Sequence, residues 1–177
     1  MKTFVHTVVE PWEQKYKDFF LLSFLFCGIN TGDLMKIKTI ENGRINFIRQ
    51  KTGVPNSLKV EPEAMEIINR NRGKGHLIDV MDRYAEPRTW TSKVDKALKG
   101  IAERNGLPAL TMYHARVTWA TICGADLGID DSIIGRALAH KPEKKVTNLY
   151  IKRIDYSKVD AANRLVIDTV FGIAKKF

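Results

Sequence analysis

The sequence predicts an α+β fold, mainly α-helical with a small antiparallel β-sheet near the front of the chain. Two observations predict it. Residues 43 to 53, GRINFIRQKTG, alternate Ile45 and Phe47 with polar partners, and after Val54-Pro55-Asn56-Ser57 a second run, LKVE, follows, which reads as a β-hairpin. Elsewhere the apolar residues recur at helical spacing, most clearly Trp90, Val94, Leu98 and Ile101 at steps of four, four and three.

Taken in order, EQKYKDFFLLSFLF from Glu13 to Phe26 passes from charged to apolar without Pro or Gly, as a helix entering a core does. Gly28 ends that helix or marks a close backbone approach. Thr31-Gly32-Asp33-Leu34 offers a cap and a short helix to about Ile37. After the hairpin, PEAMEIINRNR from Pro62 begins with Pro at a first-turn position and is helical up to Gly73. His76 to Val80 is expected to supply a short third strand. Thr89 to Asn105 is an amphipathic helix ended by Gly106 and Pro108, and further helices are predicted over Tyr113 to Leu127, over Asp131 to Leu138, on the approach to Tyr150, and over Ser157 to Ala174. No internal repeat, low-complexity linker or heptad array interrupts this order.

At 177 residues the chain fits one domain, and 44% apolar with 28% charged residues is the composition of a packed globular chain rather than of a disordered or membrane one. The longest apolar run, Phe19 to Ile29, is interrupted by Ser23 and Gly28 and is about half of what a bilayer-spanning helix needs. Cys27 and Cys123 sit inside apolar stretches without Cys or His neighbours at metal-ligand spacing, so neither a metal nor another cofactor is expected. Two such thiols, with no secretory signal at the N-terminus, point to a reducing, cytoplasmic compartment, with a single Cys27–Cys123 disulfide as the alternative. Lys and Arg number 29 against 20 Asp and Glu, a formal charge of +9, which makes a polyanion the first partner to consider.

The most informative single residue is Arg116, in TMYHARVTWATICGADLG. On a helical wheel it falls inside the apolar arc formed by Met112, Ala115, Trp119, Ala120, Ile122 and Cys123. A guanidinium there cannot shed its proton and needs an anion, either a buried Asp or Glu or a phosphate gripped by the planar fork. The basic charge of the chain favours phosphate. Downstream, IIGRALAH ends at His140, and Tyr150 follows ten residues later in TNLYI. Taken singly, a helical Tyr or His is usually structural.

Together these residues have an order: a G-x-R-x-x-E/D-L-like box at Gly28-Ile29-Asn30-Thr31-Gly32-Asp33-Leu34, a hairpin lysine at Lys51, an H-x-x-R-like box at Tyr113-His114-Ala115-Arg116, an LGH-like Leu138-Ala139-His140, and Tyr150. In this order the chain resembles the catalytic domain of tyrosine recombinases, the phage-integrase family, from about Glu10 to Ala174, with the integrases of conjugative transposons as the nearest flavour. Thr118-Trp119-Ala120-Thr121 stands where the family commonly has a TFAT-like run. Asn30 stands where the family has its first arginine, and Tyr113 where it has its first histidine. His114 is one residue displaced, about 100° round the helix.

The resemblance implies a metal-free reaction on double-stranded DNA. Tyr150 attacks the scissile phosphate and forms a 3′-phosphotyrosyl link, Arg116 holds the non-bridging oxygens, His140 hydrogen-bonds the phosphate or assists the Tyr proton, and Lys51 protonates the departing 5′-oxygen. Tyr113 and Asn30 each keep one hydrogen-bond donor for the phosphate, and Lys36 or Arg49 is close enough in sequence to replace the missing charge. Lys141, Lys144, Lys145 and Arg49 are expected to contact the DNA backbone.

The last helix either packs in cis or docks on a neighbouring protomer in a tetrameric synapse. Relatives carry an N-terminal core-type DNA-binding domain, and residues 1–177 are expected to be the catalytic domain alone. Two alternatives share the fold: a DNA-binding module that has lost turnover, and a DNA-relaxing enzyme of the type IB topoisomerase kind.

Overall fold

The computed structural model describes residues 1–141 and 155–172. Its elements in chain order are α1 (Lys2–His6), α2 (Gln14–Leu25), α3 (Thr31–Leu34), β1 (Arg44–Ile48), β2 (Pro55–Lys59), α4 (Pro62–Arg70), α5 (Val80–Arg83), α6 (Pro87–Arg104), α7 (Met112–Thr121), a π-helical turn (Ile122–Asp126), α8 (Asp131–Ala137) and α9 (Ser157–Phe171). The architecture is mainly helical with one two-stranded antiparallel sheet, as the sequence predicts.

Helix α2 is the axis of the fold because its second half is apolar all round. Phe19, Phe20, Leu22, Phe24 and Leu25 are fully buried, and α4, α6 and α7 pack about them. Trp90 of α6 closes this core on one side, stacked on Tyr16 at 5.2 Å and edge-on to Phe19 at 5.6 Å. The two buried charges of α2 are satisfied. Lys17 Nζ donates to the carbonyls of Val5 (2.9 Å) and Thr7 (2.6 Å), tying α1 down, and Asp18 accepts from Arg70 and Asn71.

Helix α9 is packed in cis. Val159, Ala162, Val166, Ile167 and Val170 are buried, and so is Asn163, which accepts from Trp119 Nε1 (2.8 Å) and donates to the Leu25 carbonyl (2.9 Å). One side chain thereby joins α2, α7 and α9. On its outer side Arg44 of β1 pairs with Asp160, and Arg164 with Glu61, Glu63 and Asp168. Of the two readings of this helix, packing in cis is the arrangement its apolar face takes here.

Three expectations are corrected. Residues 76–80 form no strand; Ile78 makes a single bridge to Arg72 before α5 begins, which leaves the described sheet two-stranded. The hairpin turn lies at 49–54, not at 54–57. Gly53 takes φ +70°, its N–H donates to the Arg49 carbonyl at 2.8 Å, and Pro55 opens β2 opposite Ile48, where a missing donor is tolerated. The helix from Tyr113 does not run evenly to Leu127, because it widens into the π turn at Ile122. The predicted helix approaching Tyr150 lies outside the described residues.

Candidate active site

Four segments converge on Arg116: the loop after α2, the β-hairpin, α7 and the C-terminus of α8. The first is held by a close backbone approach. Cys27 and Gly28 take left-handed conformations (φ 54° and 69°), and the loop folds back so that Ser23 Oγ donates to the Ile29 carbonyl at 2.7 Å. A Cβ on Gly28 would lie 2.4 Å from Arg116 Cα, so only glycine lets this loop rest on α7. Its carbonyl then accepts from Arg116 Nη1 at 3.0 Å.

The second support is the end of α8, whose last carbonyls have no partners within the helix. The hairpin and α7 supply them. Asn56 Nδ2 donates to Ala137 O (2.9 Å), Thr52 Oγ1 to Ala139 O (3.0 Å), and Leu138 O accepts both Arg116 Nη2 (2.7 Å) and Arg49 Nη1. Cations at a helix C-terminus meet the negative end of its dipole. Ala139 sits at φ 49°, with its own N–H on Arg136 O and that of His140 on Gly135 O. This is the Schellman turn, and Ala139 occupies the left-handed position that glycine normally takes. The turn swings His140 beside Arg116, with Nε2 at 3.2 Å from Nη2.

Helix α7 itself is anchored at its start. Asp95 Oδ1 accepts from the Met112 N–H at 2.7 Å, and His114 Nδ1 accepts from the Thr111 N–H at 3.0 Å. His114 therefore acts as a helix cap and not as a member of the site, which gives its displaced position a structural reason.

Asn30 and Arg49 line the same cleft as Arg116, together with the buried Asp33, whose Oδ1 accepts from the Gln50 N–H at 3.0 Å. That bond holds the turn carrying Lys51, which is exposed at the hairpin tip. Tyr113, 68% exposed, lies one turn before Arg116 on α7. Lys36 is exposed and does not line the cleft. Lys141 is exposed directly after His140. Tyr150, Lys144 and Lys145 lie outside the described residues.

The electrostatics are those of a site with surplus positive charge. Burial, and then the neighbouring Arg49, lower Arg116 to a pKa of about 10, with Tyr113 and Asp33 opposing. It remains charged at neutral pH. Burial and the charges of Arg116, Arg49 and Lys51 also hold His140 below its ordinary value. The ring is thus neutral at pH 7, and its Nε2 accepts from Arg116.

A lowered histidine pKa has a definite sign: the unfolded chain binds the proton more readily, so stability falls as pH drops below the ordinary value of 6.5. Urea unfolding at pH 7.5 and pH 5.0 is expected to show a smaller loss in His140→Gln than in wild type. Equal losses in the two proteins would count against the arrangement.

No family model and no curated protein sequence matches the chain. Solved structures do match. A lambda integrase dimer bound to a core site superposes with a TM-score of 0.60 at 17% identity, covering 87% of this chain and 58% of that one. The lambda integrase catalytic core gives 0.51 at 18% identity, covering 73% and 93%, and XerA recombinase gives 0.52 at 16%, covering 93% and 65%. The fold is that of the tyrosine recombinase catalytic domain. This recombinase-fold chain spans about half the length of the DNA-bound integrase chains, 44% of one dimer chain and 48% of a tetramer chain bound to a Holliday junction. The likeness is one of fold, and no described helix is long and apolar enough to cross a membrane.

The Thr52 and Asn56 latches and the cap made by His114 carry no signal in sequence periodicity. Gly28 did carry one, as a glycine interrupting an apolar run.

Proposed function

We propose that the chain is the catalytic domain of a site-specific DNA recombinase or integrase of the kind that moves genetic elements, cutting and rejoining strands through a 3′-phosphotyrosyl intermediate. The observation that carries this reading is the pair of guanidinium groups on Leu138 O, neither of which forms an ion pair with a carboxylate among the described residues. Among the described residues two half-buried to buried cations sharing a carbonyl have no anion, and a DNA phosphate has the oxygens to supply one.

In this reading Tyr150 Oη attacks phosphorus, the P–O5′ bond breaks, and the departing oxygen takes a proton from Lys51, which the Asp33–Gln50 bond steadies at the cleft edge. Arg116 is already oriented by two carbonyls and receives the charge that grows on the non-bridging oxygens. Neutral His140 accepts the tyrosyl proton at Nε2, or bonds the phosphate, once Arg116 turns from that nitrogen to the phosphate. Tyr113, exposed beside Arg116, and Asn30 donate without adding charge. Lys141, Lys144 and Lys145 are assigned to backbone contacts. The integrase neighbours assemble as dimers and tetramers on DNA, and assembly of this chain would leave the buried face of α9 in place.

The test is a nicked suicide duplex, generic in sequence, incubated with wild type and Tyr150→Phe. A covalent band in wild type that vanishes in Tyr150→Phe is expected. Salt-sensitive binding with no band in either protein would favour the DNA-binding module instead, and plasmid relaxation without strand exchange would favour the topoisomerase-like alternative.

A further inference from the structure

We propose that Arg49 is the second phosphate-binding guanidinium of this site, placed on the hairpin to supply the charge that Asn30 does not carry. The phosphate being that of DNA rests on the reading above; the shared anion site does not.

Arg49 and Asn30 line one cleft, with Arg116 between the same walls. Arg49 is only 7% exposed, far too buried for a cation held by solvent alone. Its Nη1 reaches Leu138 O, while its Nε finds no partner among the described residues. Arg116 Nη2 meets the same carbonyl oxygen, so both guanidinium groups lie within reach of one tetrahedral anion.

Among the described residues Asp33 is the one carboxylate lining that cleft, and its Oδ1 already accepts from the hairpin backbone. One carboxylate against two guanidinium groups leaves a net positive site that a bound anion completes. The hairpin is also rigid enough to present a charge, because Thr52 and Asn56 fasten it to α8 on either side of Leu138. Lys36, the other candidate for this task, is exposed and is not among the residues lining the cleft. If Arg49 served only to cap α8, its Nε would have no reason to be left unpaired beside a second cation.

The decisive measurement follows the arginine Nε–Hε NMR signals of the whole chain during titration with inorganic phosphate, with Arg49→Lys and Arg116→Lys used for assignment. Both signals are expected to move along a single binding curve. Phosphate affinity is expected to fall at least about tenfold in Arg49→Ala or Arg49→Met, and to recover when Asn30→Arg is added.

Movement of the Arg116 signal alone, with affinity unchanged in Arg49→Ala, would overturn the proposal and leave the phosphate site standing on Arg116. Movement of neither signal would overturn both. In the suicide-duplex assay the same variants extend the test to the reaction: Arg49→Ala is expected to slow adduct formation by about 100-fold, and Asn30→Arg to restore part of that loss. A structural cap would not be rescued from position 30.

Discussion

Arg116→Ala is expected to slow covalent adduct formation by at least about a thousandfold while weakening DNA binding only modestly. Single donors aimed at a developing oxyanion contribute about 10²–10³ in rate, and arginines that neutralise a transferring phosphoryl group contribute about 10³–10⁵. In the proposed reading Arg116 belongs to the second kind, and its two Nη atoms are already held by Gly28 O and Leu138 O beside the cleft it lines. As one phosphate contact among many, its loss is expected to change the salt slope of binding by only about one unit.

The substitution should not unfold the domain. It removes one of two mutually repelling cations, and Leu138 O keeps Arg49 as a donor. Arg116→Lys is expected to fall between wild type and Ala, since an ammonium keeps the charge but cannot bridge two carbonyls and a phosphate at once. Pre-steady-state adduct formation and binding isotherms at two salt concentrations separate these effects. A loss of binding as large as the loss of rate would make Arg116 a docking residue and remove its assignment to the chemistry.

Much of this site could be read from the chain alone, and the reason is local. Arg116 stood out because a charged residue on an apolar helical arc violates burial rules unless something pairs with it, and the structure finds it half-buried against two carbonyls. Gly28 was visible as a break in an apolar run, and the hairpin as an alternation, although its turn was displaced by several residues because Val54-Pro55-Asn56-Ser57 is itself turn-like in composition. What could not be read depends on contacts distant in sequence. The choice between Lys36 and Arg49 turns on which faces the cleft, and no spacing rule relates residue 49 to residue 138. His114 is set about 100° round the helix from the position it would need, but that its ring caps α7 on the Thr111 N–H has no sequence signal. The expected strand at 76–80 failed because a short apolar run forms a strand only where a partner edge is available, and Ile78 makes a single bridge, to Arg72, before α5 begins.

Gly28→Ala is expected to lower stability by at least about 3 kcal/mol, a large share of the roughly 5–15 kcal/mol typical of a folded domain. Two costs add. An Ala at φ 69° bears about 1–2 kcal/mol of left-handed strain, and its Cβ would lie 2.4 Å from Arg116 Cα and 2.7 Å from Arg116 Cβ, so backbone must separate from backbone. Gly43 separates the two costs. It has φ 71° with nothing within 4 Å of its would-be Cβ, so Gly43→Ala is expected to lose only the strain, about 1 kcal/mol.

In urea, with m near 2 kcal/mol/M for a domain of this size, the Gly28 variant should unfold at a midpoint lower by about 1.5 M and the Gly43 variant by about 0.5 M. The functional consequence follows from the same geometry. Pushing the loop off α7 carries the Gly28 carbonyl away from Arg116 Nη1, so whatever fraction of Gly28→Ala remains folded should also form the adduct more slowly per folded molecule, while Gly43→Ala should not. Equal midpoints for the two variants would mean that the loop can yield to a methyl group, and that the close approach does not hold Arg116 in place.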